Sequence, residues 1–238
     1  MKIKALLPIA ALLGAASAQA ATTVFSTNFD SGLSAAIAPG SASLTGVQGY
    51  AGLGPAGNQF GSSFLRSMTG NTVTLALNNL PAHDSLSIAF LFAAIDSLDG
   101  TGTYPSGDYF HITLDGQQIF RESFANAMLS QIQSYVPPAG VELARHADLG
   151  FSGPGGYYTD SAYNLGADPQ FSSIAHTAST AVFTFTIEGV GIQSLNDESW
   201  AMDNLQVSVN AVPEPEAYAM MLAGLGLVGW AARRSKQA

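Results

Sequence analysis

Three aspartates stand at the ends of alternating apolar runs. "SLSIAFLFAAID" ends on Asp96, "DYFHITLDG" begins with Asp108, and "AMDNLQVSV" carries Asp203 near its start. A period of two puts Asp96 in phase with Leu86, Ile88 and Phe90, Asp108 with Phe110, Ile112 and Leu114, and Asp203 with Leu205, Val207 and Val209. A carboxylate on the apolar face of a strand is costly unless it is paired or coordinates a metal. Over residues 21–211 only Arg66, Arg121 and Arg145 face fifteen acids, and there is no lysine. The chemistry this suggests is an oxygen-only cation site. Calcium takes about six to eight oxygens, from carboxylates and from backbone and Asn carbonyls. The expected ligands are Asp96, Asp108, Asp203 and Asn204, with Asp99 from the loop "DSLDGTGTYPSGD" and Asp30 from "NFDSG". If the strands flanking that loop are antiparallel neighbours, Asp96 and Asp108 meet at one edge of a sheet. The ion would be structural, pinning loops. The spacing is not that of an EF-hand. The competing reading is that these are exposed acids capping turns.

Other chemistries find less support. His83, His111, His146 and His176 are scattered, with no i,i+4 or H-x-H spacing for zinc. There is no G-x-S-x-G elbow, phosphate loop or dinucleotide fingerprint. Asp197 and Glu198 are the best pair for a glycosidase, but neighbours on a strand point to opposite faces. Tyr104, Tyr157, Tyr158 and Tyr163 fall in loop-like sequence and Trp200 opens the last strand; exposed, they could stack on sugars, but aromatics are more often buried. The absence of cysteine excludes disulfides, Cys-ligated metals and thiol catalysis.

The elements that must position these residues read as short strands. "NTVTLALNNL" sets Val73, Leu75 and Leu77 on one face. "SLSIAFLFAAID" is apolar enough for a central strand covered on both sides. "DYFHITLDGQQIF" is two strands around Asp115-Gly116, a tight-hairpin dipeptide. "TAVFTFTIEG" alternates Phe183, Phe185 and Ile187 with threonines, and "AMDNLQVSV" closes the series. This pattern predicts an all-β fold, a β-sandwich of the jelly-roll kind. "RESFANAMLSQI" breaks it, with Phe124, Met128, Leu129 and Ile132 at the spacing of a short surface helix. "GFSGPGGYYTDSAYNLGADPQ" reads as a long loop.

Both ends of the chain differ from this middle. Lys2 and Lys4, an apolar stretch over residues 5–16 and Ala18-Gln19-Ala20 form a signal peptide with cleavage expected after Ala20. The apolar stretch is too short to span a bilayer. The other end holds Pro213-Glu214-Pro215, sixteen uncharged residues (217–232), then Arg233, Arg234 and Lys236. Three units follow: a signal peptide over 1–20, an ectodomain over 21–211 and a tail over 212–238. The acidic ectodomain surface excludes nucleic acid and anionic lipid as partners.

The tail resembles the PEP-CTERM sorting signal of Gram-negative bacteria, in Pro213-Glu214-Pro215, the apolar run and Arg233-Arg234. The ectodomain is similar to a PEP-CTERM-associated group of β-sandwich proteins, in "NFDSG", "FLRS", "NLPAHDSLSIAFLFAAIDSLDG", "GDYFHITLDG" and "NDESWAMDN". Many members of that group have Trp where Leu98 stands. The resemblance implies signal peptidase and an exosortase as processing partners and transient inner-membrane association. It also implies delivery to the cell surface or to an exopolysaccharide-rich matrix. Sixteen helical residues reach about 24 Å, short of a hydrocarbon core of about 30 Å, so an address that is removed fits better than a permanent anchor. The expected function is that of a non-enzymatic surface or matrix protein. The alternatives are a carbohydrate-binding module held in exopolysaccharide and, less favoured, a glycan-cleaving enzyme.

Overall fold

The computed structural model describes residues 21–101, 107–151, 159–190, 193–212 and 215–234. The expected signal peptide, Tyr104, Tyr157, Tyr158, Pro213, Glu214 and Lys236 lie outside the described residues. Among the described residues, thirteen strands form two antiparallel sheets. They are β1 (Thr22–Thr27), β2 (Ile37–Ala38), β3 (Ser43–Gly46), β4 (Ser63–Met68), β5 (Val73–Asn78), β6 (His83–Asp96), β7 (Tyr109–Leu114), β8 (Gln117–Ser123), β9 (Glu142–Ala147), β10 (Asp160–Asn164), β11 (Ile174–Ala175), β12 (Thr180–Glu188) and β13 (Glu198–Ala211). A helix, α1 (Pro215–Arg234), follows β13. The larger sheet runs β3-β4-β13-β6-β10-β9, with β1 also on β13 and β11 also on β6; the smaller runs β2-β5-β12-β7-β8. The chain is a jelly-roll-type β-sandwich.

Period-two sequence explains the main core. Val73, Leu75 and Leu77 of β5, Phe110 and Ile112 of β7 and Phe183, Phe185 and Ile187 of β12 are buried between the sheets. Opposite them lie Leu86, Ile88, Phe90 and Phe92 of β6 and Trp200, Met202, Leu205 and Val207 of β13. The outer face of the larger sheet is covered as well. Leu91, Ala93 and Ile95 of β6 and Ala201 of β13 pack under Val47, Tyr50, Phe60 and Leu149. That double cover is why the second half of β6 loses its polar alternation. The β7–β8 hairpin turns on Asp115 and Gly116 at φ 51° and 78°, as the primed two-residue turn requires.

Two expectations change. The segment after Arg121 is not a helix: β8 continues to Ser123 and Phe124 is buried. Met128, Leu129 and Ile132 are 60%, 82% and 70% exposed, so their spacing marks no packed face. The stretch read as a loop contains β10, paired to β6 and β9. All five residues of β10 are buried. A strand covered on both faces has no polar alternation to betray it, and Ser, Ala and Asn disguise this one further.

Candidate functional site

The structure does not bring Asp96, Asp108 and Asp203 to one place. β6 and β7 lie in different sheets, so Asp96 and Asp108 do not share a sheet edge. Backbone geometry also turns two of the three carboxylates away from the phase the alternation implied. Asp96 ends β6 at φ 63° and Asn204 sits at φ 49°. The β13–β6 register slips between Asp203 and Gln206, a bulge that resets the alternation. Trp200 and Met202 therefore face the main core on one side of the bulge and Leu205 and Val207 on the other, while Asp203 pairs opposite Leu91.

Asp203 is fully buried, and its two oxygens accept the N–H of Gly61 (2.9 Å) and of Asn204 (2.7 Å). Burial pushes its carboxyl up to about 6. Nearby Asp30 accepts from Ser62 N, Ser62 Oγ and Ser63 N at 2.9, 2.7 and 2.8 Å. The Ser62 hydroxyl, then the backbone N–H groups, outweigh slight burial and lower its pKa. Asn204 Nδ2 donates to Gln59 O at 2.8 Å. Asp203 and Asn204 tie the 59–63 segment to β13, and Asp30 ties it to the stretch after β1; the carboxylates are engaged by backbone N–H and hydroxyl donors.

Asp96 belongs to a second group, with Arg66 and Asp160. The Arg66 guanidinium lies 3.7 Å from Asp96 and 4.6 Å above the Phe151 ring, and donates to Ser199 Oγ and Leu195 O. Asp160 accepts Asp96 N–H at 3.2 Å and Leu149 N–H at 2.9 Å. Among the described residues neither Asp96 oxygen has a hydrogen-bond partner. Burial first, then the Asp160 charge, raises Asp96 to about 7 against the pull of Arg66.

The third group lies at one end of the sandwich. Asp99, Asp108 and Glu198 are buried, and each offers an oxygen within 4.8 Å of the others. Asp108 precedes β7 of the smaller sheet; Glu198 opens β13 of the larger, in phase with Trp200. The turn carrying Asp99 is held by its bridge to Ala125 and by Gly107 N–H to Gly100 O at 3.0 Å. Gly100 has φ 68°, and a Cβ there would stand 2.5 Å from Ile132 O, so the turn admits only glycine. Asp108 accepts Asp99 N–H at 2.6 Å, Gln131 donates to Asp99 at 2.5 Å and Gln193 to Glu198 Oε1 at 2.7 Å. Among the described residues Glu198 Oε2 has no hydrogen-bond partner. Burial, then the charges of Asp108, Asp99 and Asp197, pushes Glu198 up to about 8; burial takes Asp108 to about 6 and raises Asp99. Asp99 and Asp108 were expected ligands. Glu198 was set aside as half of an unpromising pair, although its phase with Trp200 was visible.

The remaining residues fall as follows. His83 and His176, ninety-three residues apart, stack at 5.1 Å and join Nε2 to Nδ1 at 2.8 Å. His176 Nε2 then meets Asp115 at 3.0 Å. No local spacing could have announced this. Tyr163 and Trp200, considered as sugar platforms, are fully buried core residues. A groove of about 490 Å³ is lined with amides and hydroxyls, among them Ser26, Thr27, Asn28, Asn58, Asn204 and Gln206.

α1 stands apart from both cores. Met220, Leu222, Leu227, Val228 and Trp230 are 61–74% exposed. Arg234 lies 5.3 Å over the Trp230 ring. Among the described residues no helix is long and apolar enough to cross a membrane.

A β-sandwich ending in an uncovered apolar helix with basic residues in its last turn defines a domain with an appended tail. The tail is a PEP-CTERM protein-sorting motif, whose family model matches residues 211–235. The motif implies export, a C-terminal anchor and processing by an exosortase. No curated protein matches the chain. Among solved structures it is similar to a family GH115 4-O-methyl-α-glucuronidase, at 11% identity and TM-score 0.36, covering 81% of this chain and 18% of that one. A GH87 α-1,3-glucanase catalytic domain matches at 18% identity and TM-score 0.31, with 83% and 30% covered. The CBM22-2 xylan-binding domain from Paenibacillus barcinonensis Xyn10C matches at 11% identity and TM-score 0.33, with 78% and 98% covered. The chain thus spans less than a third of the first two, and likenesses this distant say nothing about activity.

Proposed function

We propose that this is an exported, non-enzymatic β-sandwich protein that an exosortase processes and delivers to the surface or extracellular matrix of a Gram-negative cell. The observation that carries the reading is the sorting motif at residues 211–235, set on a helix whose apolar side chains neither core covers. An uncovered apolar helix needs an apolar partner outside the folded domain. A bilayer met briefly, with Arg233 and Arg234 left on the inner side, supplies one. What favours a non-enzymatic role is the disposition of the acids: those with raised pKa values are buried in the fold and do not converge on the groove. Replacing Pro213 and Pro215 with alanine in a host with the sorting enzyme should leave precursor in the inner membrane. Unchanged delivery of that variant would overturn the reading.

A second reading, binding of exopolysaccharide, draws on the groove beside β1 and β13, whose amides and hydroxyls suit a polyol. Against it, among the described residues no aromatic ring lines that groove to stack on a sugar. A glycan array separates the two, and turnover of labelled polysaccharide would reveal a glycan-cleaving enzyme.

A further inference from the structure

We propose that Asp99, Asp108 and Glu198 hold a calcium ion that clamps the two sheets together at one end of the sandwich. Three buried carboxylates converge there, two from the connection between β6 and β7 and one from the start of β13. Among the described residues no lysine or arginine is paired with any of them. Half-buried Asp197 adds to the same negative field. Three such charges without a counterion would repel one another inside the fold.

An independent observation points to a ligand. Glu198 is 0% exposed, one of its oxygens is fixed by Gln193, and Oε2 has no hydrogen-bond donor among the described residues. A buried carboxylate oxygen without a partner costs stability unless a cation or a proton satisfies it. The amides of Gln131 and Gln193 each hold one oxygen of a neighbouring carboxylate. That is how outer residues orient ligands toward a metal. The donor set is oxygen only, which selects a hard cation. Calcium takes about six to eight oxygens in flexible geometry, which suits carboxylates already fixed by the fold, whereas magnesium demands near-ideal octahedral geometry and usually keeps several waters. The remaining coordination would come from water or backbone carbonyls. In a chain without cysteine, the ion would do for this end what a disulfide does elsewhere, joining β7 of one sheet to β13 of the other.

The rival account is a protonated Glu198 with no ion. Titration of calcium chloride into the purified full chain in metal-free buffer distinguishes them. The clamp predicts one site per chain. It also predicts a melting temperature raised by roughly 5–10 °C when calcium is at about one hundred times its dissociation constant. Glu198→Gln should lose that gain. Asp108→Asn should lose the gain too, which covers the case of one variant failing to fold. Asp203→Asn, roughly 17 Å away along β13, should keep it. Identical wild-type melts in calcium and in sodium chloride at matched ionic strength would overturn the clamp, as would an undiminished calcium gain in Glu198→Gln.

Discussion

Replacing Asp203 with asparagine should flatten the dependence of stability on pH. The carboxyl is fully buried, and burial lifts its pKa from an ordinary 3.8 to about 6. A raised carboxyl means that the folded form holds its proton more tightly than the unfolded chain does. Its contribution to stability is therefore complete below 3.8 and is lost as pH rises through about 6. Between pH 8 and pH 5 the gap between those two values amounts to about 1.4 kcal/mol for this one group. For a domain of this size that is roughly 3–6 °C in melting temperature. Asparagine does not titrate, so this share of the pH dependence should vanish. The assay is a pair of thermal melts, at pH 5 and pH 8, in chelator at fixed ionic strength. Parallel pH profiles for wild type and variant would refute the argument, because they would mean that the Asp203 carboxyl is not desolvated as its burial implies.

Other consequences follow from the packing. Trp200→Ala should cost about 3–5 kcal/mol in urea unfolding, since the indole is fully buried and lies 5.2 Å from Phe110 and 6.5 Å from Phe92. Arg66→Met removes the cation facing Asp96 and should destabilise by about 3–5 kcal/mol at pH 8. Less of that loss should remain at pH 5, below the Asp96 pKa of about 7, where a neutral carboxyl needs no partner. Ending the chain after Ala211 should leave the melting temperature of the sandwich unchanged, because the apolar side chains of α1 are exposed and fill neither core.

Strands that face solvent on one side were legible in the sequence; of those covered on both sides, β6 was legible from its long apolar run and β10 was not. β5, β7 and β12 announce themselves because polar residues such as Thr74, His111, Thr113, Thr184 and Thr186 alternate with their core residues. β10 does not, since β6 and β9 flank it and its residues are buried on both faces. The acids follow the same division. Asp108 lies where its phase with Phe110 and Ile112 puts it, against Glu198 and under the main core. Asp96 and Asp203 do not, because one positive φ at each strand irregularity turns the side chain to the other face, and no period-two count registers such a residue. Asp160 and the His83–His176 pair depend on contacts between distant segments, which local spacing cannot encode. The tail was the most legible part, because its three features are contiguous and depend on no tertiary contact.

The central claim is that the tail is an address read by a sorting enzyme. Intact-mass analysis of the mature surface form, made in a host with that enzyme, tests it most directly. The account predicts a mass ending near the Pro213-Glu214-Pro215 region, with α1 and its arginines gone. A mature surface form that still carries Arg233 and Arg234 would contradict it.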